Sequence, residues 1–503
     1  MEIETGAPVP RRDPGLSGRR SRAPSPGDGE RPILALRLPR SETEAVLERR
    51  LAEAAALDDA CNGLARRQPH LSARFGLSDG QQCGLWSLAS AIPVMACLTP
   101  HGVVAAAIWV AAIVFACGIA LRLAAAISAW TTRPRAEPEA IDFQPPTITY
   151  LVPLYKEDNI APALIKALMA LDYPAHLLDI KLLVEIDDVR TINVLRGLNL
   201  PQRFEILPCP PSTPRTKPKA LNYGLQFARG DIIAVLDAED IPDPAQPLAA
   251  ARAFAEGGAK LAVVQAPLLA HNGDAGWIAR QFEIEYAIHF RVWLPFVARL
   301  GWPMLLGGTS NYFRRTHLVD AGGWDAWNVT EDADLGLRLA RHGRSAKMIA
   351  PPTLEEAPVR FTHWLSQRTR WKKGHLQTWL VLMRNPGGAI ADMGLRQFIG
   401  AQLALGGGLL ASMVHGPSII VLGIAGLTAS LWPPAMFLAL LGTGYGAVLF
   451  CAIAAGGVRK RIGALASLPL YLPLISFAML CALWDMKAQP YKWAKTPHGV
   501  KPG

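Results

Sequence analysis

No two of the seven cysteines stand in a Cys-x-x-Cys spacing; Cys61, Cys83, Cys97, Cys117, Cys209, Cys451 and Cys481 are scattered, five of them inside long apolar runs. Neither a zinc ribbon nor a disulfide scaffold fits that pattern. Charge is also scarce, at 18% of residues against about 25% in an ordinary soluble chain. Half of the residues are hydrophobic, which excludes general disorder and places the apolar excess in membrane spans. The balance of 51 Lys+Arg against 41 Asp+Glu gives +10, but no basic helix with interleaved aromatics accompanies it, so nucleic acid is not an expected partner. The arginines gather in the first 50 residues and beside apolar runs, where membrane topology and lipid headgroups explain them.

From Gly80 to Leu121 there is no Asp, Glu, Lys or Arg, a run of 42 residues, twice what one span needs. Thr99-Pro100-His101-Gly102 breaks it, which predicts a helical hairpin with one span near Gly84–Leu98 and another near Val103–Leu121. It begins too far along the chain to be a signal peptide. Gln397 to Val458 is uncharged over 62 residues, and Ile462 to Trp484 over 23. These runs bring the expected total to five or six spans. The charges around the last run conflict: Arg459-Lys460-Arg461 before it and Lys487, Lys492 and Lys495 after it would lie on opposite sides of a full span. Pro469 and Pro473 allow that segment to be broken or re-entrant.

Residues 145–386 have ordinary globular composition, enough for one α/β domain. Ile148–Pro153, Ile180–Val184, Ile232–Leu236 and Lys260–Val264 read as buried strands alternating with helical segments, which predicts a mostly parallel sheet. Ligands of such sheets gather at the carboxyl ends of strands. Acidic residues stand there: Glu185, Asp187 and Asp188 after one strand, Asp237, Glu239 and Asp240 after another. Clustered carboxylates suit a hard divalent cation bridging to phosphates. Thr330-Glu331-Asp332 opens a helical segment, and Gln367-Arg368-Thr369-Arg370-Trp371 follows.

In this order the four motifs resemble the inverting, membrane-embedded family 2 glycosyltransferases, among them cellulose, hyaluronan and chitin synthases and bacterial exopolysaccharide synthases. The resemblance covers about Ile148 to Asn385. It implies a Rossmann-like GT-A domain holding a UDP-sugar, joined to an α-helical transmembrane region. It further implies that Asp187 contacts the nucleotide, with Glu185 and Asp188 as alternatives, because Val189-Arg190 replaces the family's usual glycine. Asp237 and Glu239 would hold Mg2+ or Mn2+, with Asp240 as alternative where the family usually has Asp-x-Asp. Lys219, in Lys217-Pro218-Lys219, would lie near the donor phosphates. Asp332 would be the general base, and Glu331, Gln367, Arg368, Arg370 and Trp371 would bind the acceptor end and the diphosphate.

The resemblance thus implies a multi-pass inner-membrane hexosyltransferase with a cytoplasmic catalytic domain, polymerising a β-linked glycan from a UDP-hexose, with export or regulatory subunits as further partners. The alternatives are transfer of one sugar to a lipid carrier and a non-catalytic membrane scaffold. Met1 to Pro39 reads as disordered, residues 41–79 as a short helical segment, and 485–503 as a polar tail whose Tyr491-Lys492-Trp493 suits either a gate at the donor site or an interfacial anchor.

Overall fold

The computed structural model describes residues 42–132, 143–428, 435–456 and 462–493. The N-terminal segment before them, the 133–138 linker, Arg459-Lys460-Arg461 and the tail from Ala494 lie outside the described residues. The chain divides into two compact units, 1–54 and 55–503. Of the first, residues 42–54 are described, as the start of helix α1 (Glu42–Arg67).

In the second unit, Ser78 caps α2 (Asp79–Leu98) in a reciprocal box with Gln81, which satisfies two amides the first helical turn leaves open. Thr99 and Pro100 end α2 and start α3 (Pro100–Thr131), the hairpin read from the sequence.

The globular domain then alternates strand and helix: β1 (Ile148–Leu154), α4 (Ala161–Met169), β2 (Leu178–Glu185), α5 (Val189–Arg196), β3 (Phe204–Cys209), α6 (Lys217–Leu225), β4 (Ile232–Val235), β5 (Ile241–Pro242), α7 (Gln246–Glu256), β6 (Leu261–Gln265) and β7 (Leu268–Ala270). After α8 (Trp277–Ile288) and α9 (Leu294–Arg299) come β8 (Asn311–Arg314), α10 (Arg315–Asp320), α11 (Glu331–Arg341), β9 (Ser345–Met348), β10 (Thr353–Glu355) and α12 (Phe361–Leu382). Seven strands form the main sheet in the order β3-β2-β1-β4-β8-β6-β9, and β5, β10 and β7 form a small second sheet. β3, β2, β1 and β4 run parallel, whereas β8 is antiparallel to β4 and β6. Every strand segment read from the sequence lies in this sheet. β1, β2, β4 and β6 are buried on both faces apart from Pro153, which is why they read as continuous apolar runs rather than alternations.

The remaining helices are α13 (Pro386–Met393), α14 (Leu395–Ala401), α15 (Gly407–Thr428), α16 (Ala435–Ala455), α17 (Ile462–Ala466) and α18 (Leu468–Ala488). A wide π-type turn at Gln402–Gly406 joins α14 to α15, and another at His289–Trp293 joins α8 to α9. Among the described residues four helical segments are long and apolar enough to cross a membrane: Pro100–Thr131, Leu395–Ile424, Ala435–Ala455 and Leu468–Ala488. That is fewer than the five or six expected, partly because Gln397–Val458 holds two such segments and partly because α2 opens with Asp79, Gln81 and Gln82 and has a shorter apolar stretch.

α18 is the run that carries the charge conflict noted above, and each of its ends has a hydrogen-bonded neighbour. At its start, Ser467 Oγ accepts from Trp277 Nε1 and Gln281 Nε2, both at 2.8 Å. At its end, the backbone oxygens of Gln489 and Pro490 accept from Lys373 (3.0 Å) and Gln377 (2.9 Å). Both ends of α18 therefore meet the globular domain. In between, Tyr471 packs against Trp364 of α12, whose indole donates to the Tyr471 hydroxyl at 2.9 Å.

Candidate active site

The site begins where β2 and β4 end. Glu185, the last residue of β2, accepts from Lys219 Nζ at 2.6 Å. Lys219 is fully buried and also donates to Pro210 O at 3.1 Å. It is thus tied beneath the site and is not part of the cavity lining. Lys217, one helical half-turn away, does line the cavity: its ammonium pairs with Asp237 and donates to Gly308 O at 2.7 Å. Asp188 caps α5, accepting from Thr191 N at 3.3 Å and from Lys156 N, so its carboxylate is committed to the loop. Asp187 is exposed and forms a forked pair with Arg215, whose guanidinium lies 4.4 Å from the centre of the Tyr155 ring. Of the three acids proposed for the nucleotide, Glu185 lines the central cavity, with Tyr155 and Arg215, while Asp187 stands outside that lining.

Beyond β4, Asp237 and Glu239 face the cavity. Asp240 does not: it is buried and holds the turn, accepting from Asp237 N at 3.0 Å and from the Thr309 hydroxyl. In its stead stands Glu355, at the end of β10, which sequence reasoning missed because no motif surrounds it. Burial, and then repulsion from Glu239 and Asp237, pushes the Glu355 carboxyl up to about 8.

Asp332 sits in the first turn of α11, where the helix dipole favours a carboxylate. One oxygen accepts from Ala333 N at 2.8 Å. The other lies 3.4 Å from the point where a methyl on Gly308 would stand. Burial raises the Asp332 carboxyl, while Ala333 N, Lys217 and Arg370 hold it back. Its neighbour Glu331 is pushed up to about 8 by burial and by the Asp332 charge.

The long helix α12 presents three faces, as 3.6 residues per turn requires. Gln367 and Arg370 lie on the face toward Asp237, Glu239, Glu331 and Asp332. Gly374 continues that face. A methyl there would fall 2.3 Å from Thr330 Oγ1 and 2.7 Å from Thr330 N, so only glycine lets α12 approach the start of α11 this closely. Gln367 Oε1 and Arg370 Nε are buried without a hydrogen-bond partner, and polar atoms left so are costly unless a ligand meets them. Trp371 stacks on Tyr286 at 6.1 Å and 18°, beside Phe282. Arg368 also lines the cavity, with its guanidinium engaged by protein groups. It pairs with Glu285 at 2.7 Å and lies against the rings of Phe282, Trp364 and Trp371, which makes it a positioning residue for the aromatic wall. From the tail, Trp493 stacks its ring 4.6 Å from the Arg370 guanidinium.

These groups line one cavity of about 930 Å³. It runs from Tyr155 and Glu185 past Asp237, Glu239, Glu355 and Asp332 to Gln367, Arg370 and Trp371, and then continues between the membrane helices. There its walls are Ile113, Val114 and Gly118 of α3, Gly407, Gly408 and Ala411 of α15, and Val448 of α16. Both π-type turns border it, through His289 and Leu403, a setting in which such irregular turns recur.

Residues 145–374 match the family described as Glycosyltransferase like family 2. The chain is 27% identical over 249 residues to the probable glycosyltransferase YdaM of Bacillus subtilis (strain 168), covering 46% of this chain and 55% of that one. It is 27% identical over 247 residues to the UDP-forming cellulose synthase catalytic subunit of Xanthomonas axonopodis pv. citri, covering 46% and 32%, and 26% identical over 261 residues to the beta-monoglucosyldiacylglycerol synthase of Nostoc sp., covering 50% and 55%. The chain thus spans about half the length of YdaM and the Nostoc protein. A solved mannosyltransferase, PcManGT from Pyrobaculum calidifontis in complex with GDP-Man and Mn2+, has a TM-score of 0.49 at 19% identity, covering 74% of this chain and 99% of that one.

Proposed function

From a family 2 glycosyltransferase domain of GT-A fold in residues 145–374, we propose that the protein is an inverting hexosyltransferase that moves one sugar from a nucleoside-diphosphate donor to a hydroxyl of a membrane lipid. The observation that carries this is the single cavity joining Asp237, Glu239 and Asp332 to Gln367 and Arg370 and continuing between membrane helices. The relatives' names, UDP-forming and monoglucosyl, support UDP-glucose as donor. Donors of this kind are made in the cytoplasm, which puts the globular domain on that side and makes the protein a multi-pass inner-membrane enzyme.

Asp332 accepts the proton of the acceptor hydroxyl as that oxygen bonds to the anomeric carbon. The bond from that carbon to the diphosphate breaks from the opposite face, and its electron pair leaves with the diphosphate. One displacement inverts the centre, so an α-linked donor gives a β-linked product. Arg370, with its unmet Nε, and Lys217 receive the negative charge of the leaving group. Glu185, Arg215 and Tyr155 form the nucleotide end, and Trp371 offers a flat apolar face to a sugar ring.

Among the described residues, no group of three or more His, Cys, Asp or Glu side chains could hold a metal ion by itself. The hard oxygens of Asp237 and Glu239 nevertheless suit Mg2+ or Mn2+ whose other ligands would come from the donor. When bound, such a cation neutralises diphosphate charge.

The lipid acceptor rests on the aliphatic and glycine residues of α3, α15 and α16 that line the membrane end, Ile113, Val114, Gly118, Gly407, Gly408, Ala411 and Val448. Polymerisation is a second reading, favoured by the aromatic run Phe282, Tyr286 and Trp371 and by the stacking of Trp493 on Arg370. The test is product length: purified protein in vesicles with labelled UDP-glucose is expected to give a lipid carrying one sugar, and a long glycan free of lipid would contradict it.

A further inference from the structure

The neck between the two halves of the cavity holds basic groups that the transfer chemistry above does not use. Lys372 and His375 project from α12 on the face next to the catalytic one, His289 comes from the π-type turn after α8, and Arg122 from α3. All four line the cavity. Among the described residues none of them has a side-chain ion pair or hydrogen bond to an acid. Glu285, the carboxylate whose charge acts on Lys372 and His289, is taken on both oxygens, by Arg368 at 2.7 Å and by the Tyr471 hydroxyl at 2.8 Å.

The crowding shows in the proton affinities. Burial and the neighbouring Arg368 and Arg122 bring the Lys372 ammonium down to about 8 despite the attraction of Glu285. Burial and then the charges of Lys372, His289 and Arg368 hold His375 down to about 3. His289 falls to about 4, with burial the largest cause and Glu285 opposing it. Unneutralised cations in a cavity of low polarity are costly, and a membrane-facing slot lined by glycine and aliphatic side chains opens directly beside them.

Resting on the lipid-acceptor reading, we propose that this neck binds the phosphoryl group of an anionic lipid, with its acyl chains between α3, α15 and α16 and a headgroup hydroxyl reaching Asp332. Two cations, Arg122 and Lys372, supply the charge, and His289 and His375 supply neutral ring donors. The nucleotide end and the lipid end then bring two anionic groups to different faces of α12: Arg370 serves the donor, Lys372 the acceptor.

The test uses the full chain in detergent, titrated with phosphatidylglycerol and, in parallel, with diacylglycerol of the same chains. Retained lipid is counted by native mass spectrometry, and sugar transfer to each lipid is followed in phosphatidylcholine vesicles doped with one or the other. Wild type is expected to retain phosphatidylglycerol in preference. Arg122→Gln with Lys372→Gln should weaken that retention roughly tenfold or more, raise the KM for the anionic lipid more than they lower kcat, and leave nucleotide binding intact. Lys372→Arg should keep the preference. Equal retention of the two lipids overturns the proposal, as does a preference that survives the double substitution or one lost in Lys372→Arg. A long glycan as product with phosphatidylglycerol still retained selectively would sink the acceptor reading while sustaining the anion site.

Discussion

The two ends of the cavity are built from opposite materials. At the donor end, carboxylates from three separate elements converge, Asp237 and Glu239 after β4, Glu355 in β10 and Asp332 in α11, with Lys217 and Arg370 set among them. At the other end Ile113, Val114, Gly118, Gly407, Gly408, Ala411 and Val448 stand with the basic groups Arg122, His289, Lys372 and His375. α12 serves both. Its Gln367 and Arg370 face the acids, whereas Lys372 and His375, about a third of a turn round the helix, line the cavity with Arg122 and His289. One helix with two chemically distinct faces can hold donor and acceptor at fixed separation, which is the largest contribution positioning makes to a transfer between two bound molecules.

The strongest break in this contrast comes from Asp332→Asn, which keeps size and removes the base. Sugar transfer, measured with labelled donor, should fall about 10²- to 10⁴-fold with membrane insertion and donor binding retained. Glu331→Gln is the matching control: the carboxyl is raised to about 8 by burial and by Asp332 and is largely protonated at neutral pH, so the amide should hold transfer within a few-fold.

Next in size is Gly374→Ala. A methyl 2.3 Å from Thr330 Oγ1 must push α12 away from α11, at a cost of about 1–3 kcal/mol. Thermal unfolding should register that loss, and transfer should drop more than stability, because Gln367 and Arg370 move with the helix. The pH profile sharpens the comparison further. A base works ionised, and Asp332 is raised by burial, so kcat/KM should decline as pH falls, beginning above the ordinary carboxylate range of about 4. In Lys217→Met that acidic limb should move up, since Lys217 is one of the groups holding Asp332 down. The smallest effect is expected at Asp188→Ala, where loss of the α5 cap should lower stability by about 1 kcal/mol and leave the KM for donor nearly unchanged. A large rise in that KM would return Asp188 to the nucleotide site.

Much of the fold was legible because it depends on local pattern. Fully buried strands read as apolar runs, and the break at Thr99-Pro100 read as a hairpin. The span number was less so, because α2 opens with Asp79, Gln81 and Gln82 and Gln397–Val458 divides into two long apolar helices rather than three. In the site, the motif residues Asp237, Glu239, Asp332, Gln367, Arg370 and Trp371 line one cavity. What escaped were choices between neighbours and acids without a motif. Lys217 and Lys219 are indistinguishable in the sequence until α6 assigns one to the cavity and buries the other against Glu185. Asp240 is drawn into its own turn by Thr309. Glu355 and Glu285 stand in no motif, and only tertiary packing brings them to the wall.

The most direct test of the central claim is the anomeric configuration of the product, followed by nuclear magnetic resonance on purified protein in vesicles supplied with an α-linked nucleotide sugar. The account predicts a β-linked sugar whose appearance stops in Asp332→Asn while nucleotide binding persists. An α-linked product, or undiminished transfer by that variant, would contradict it.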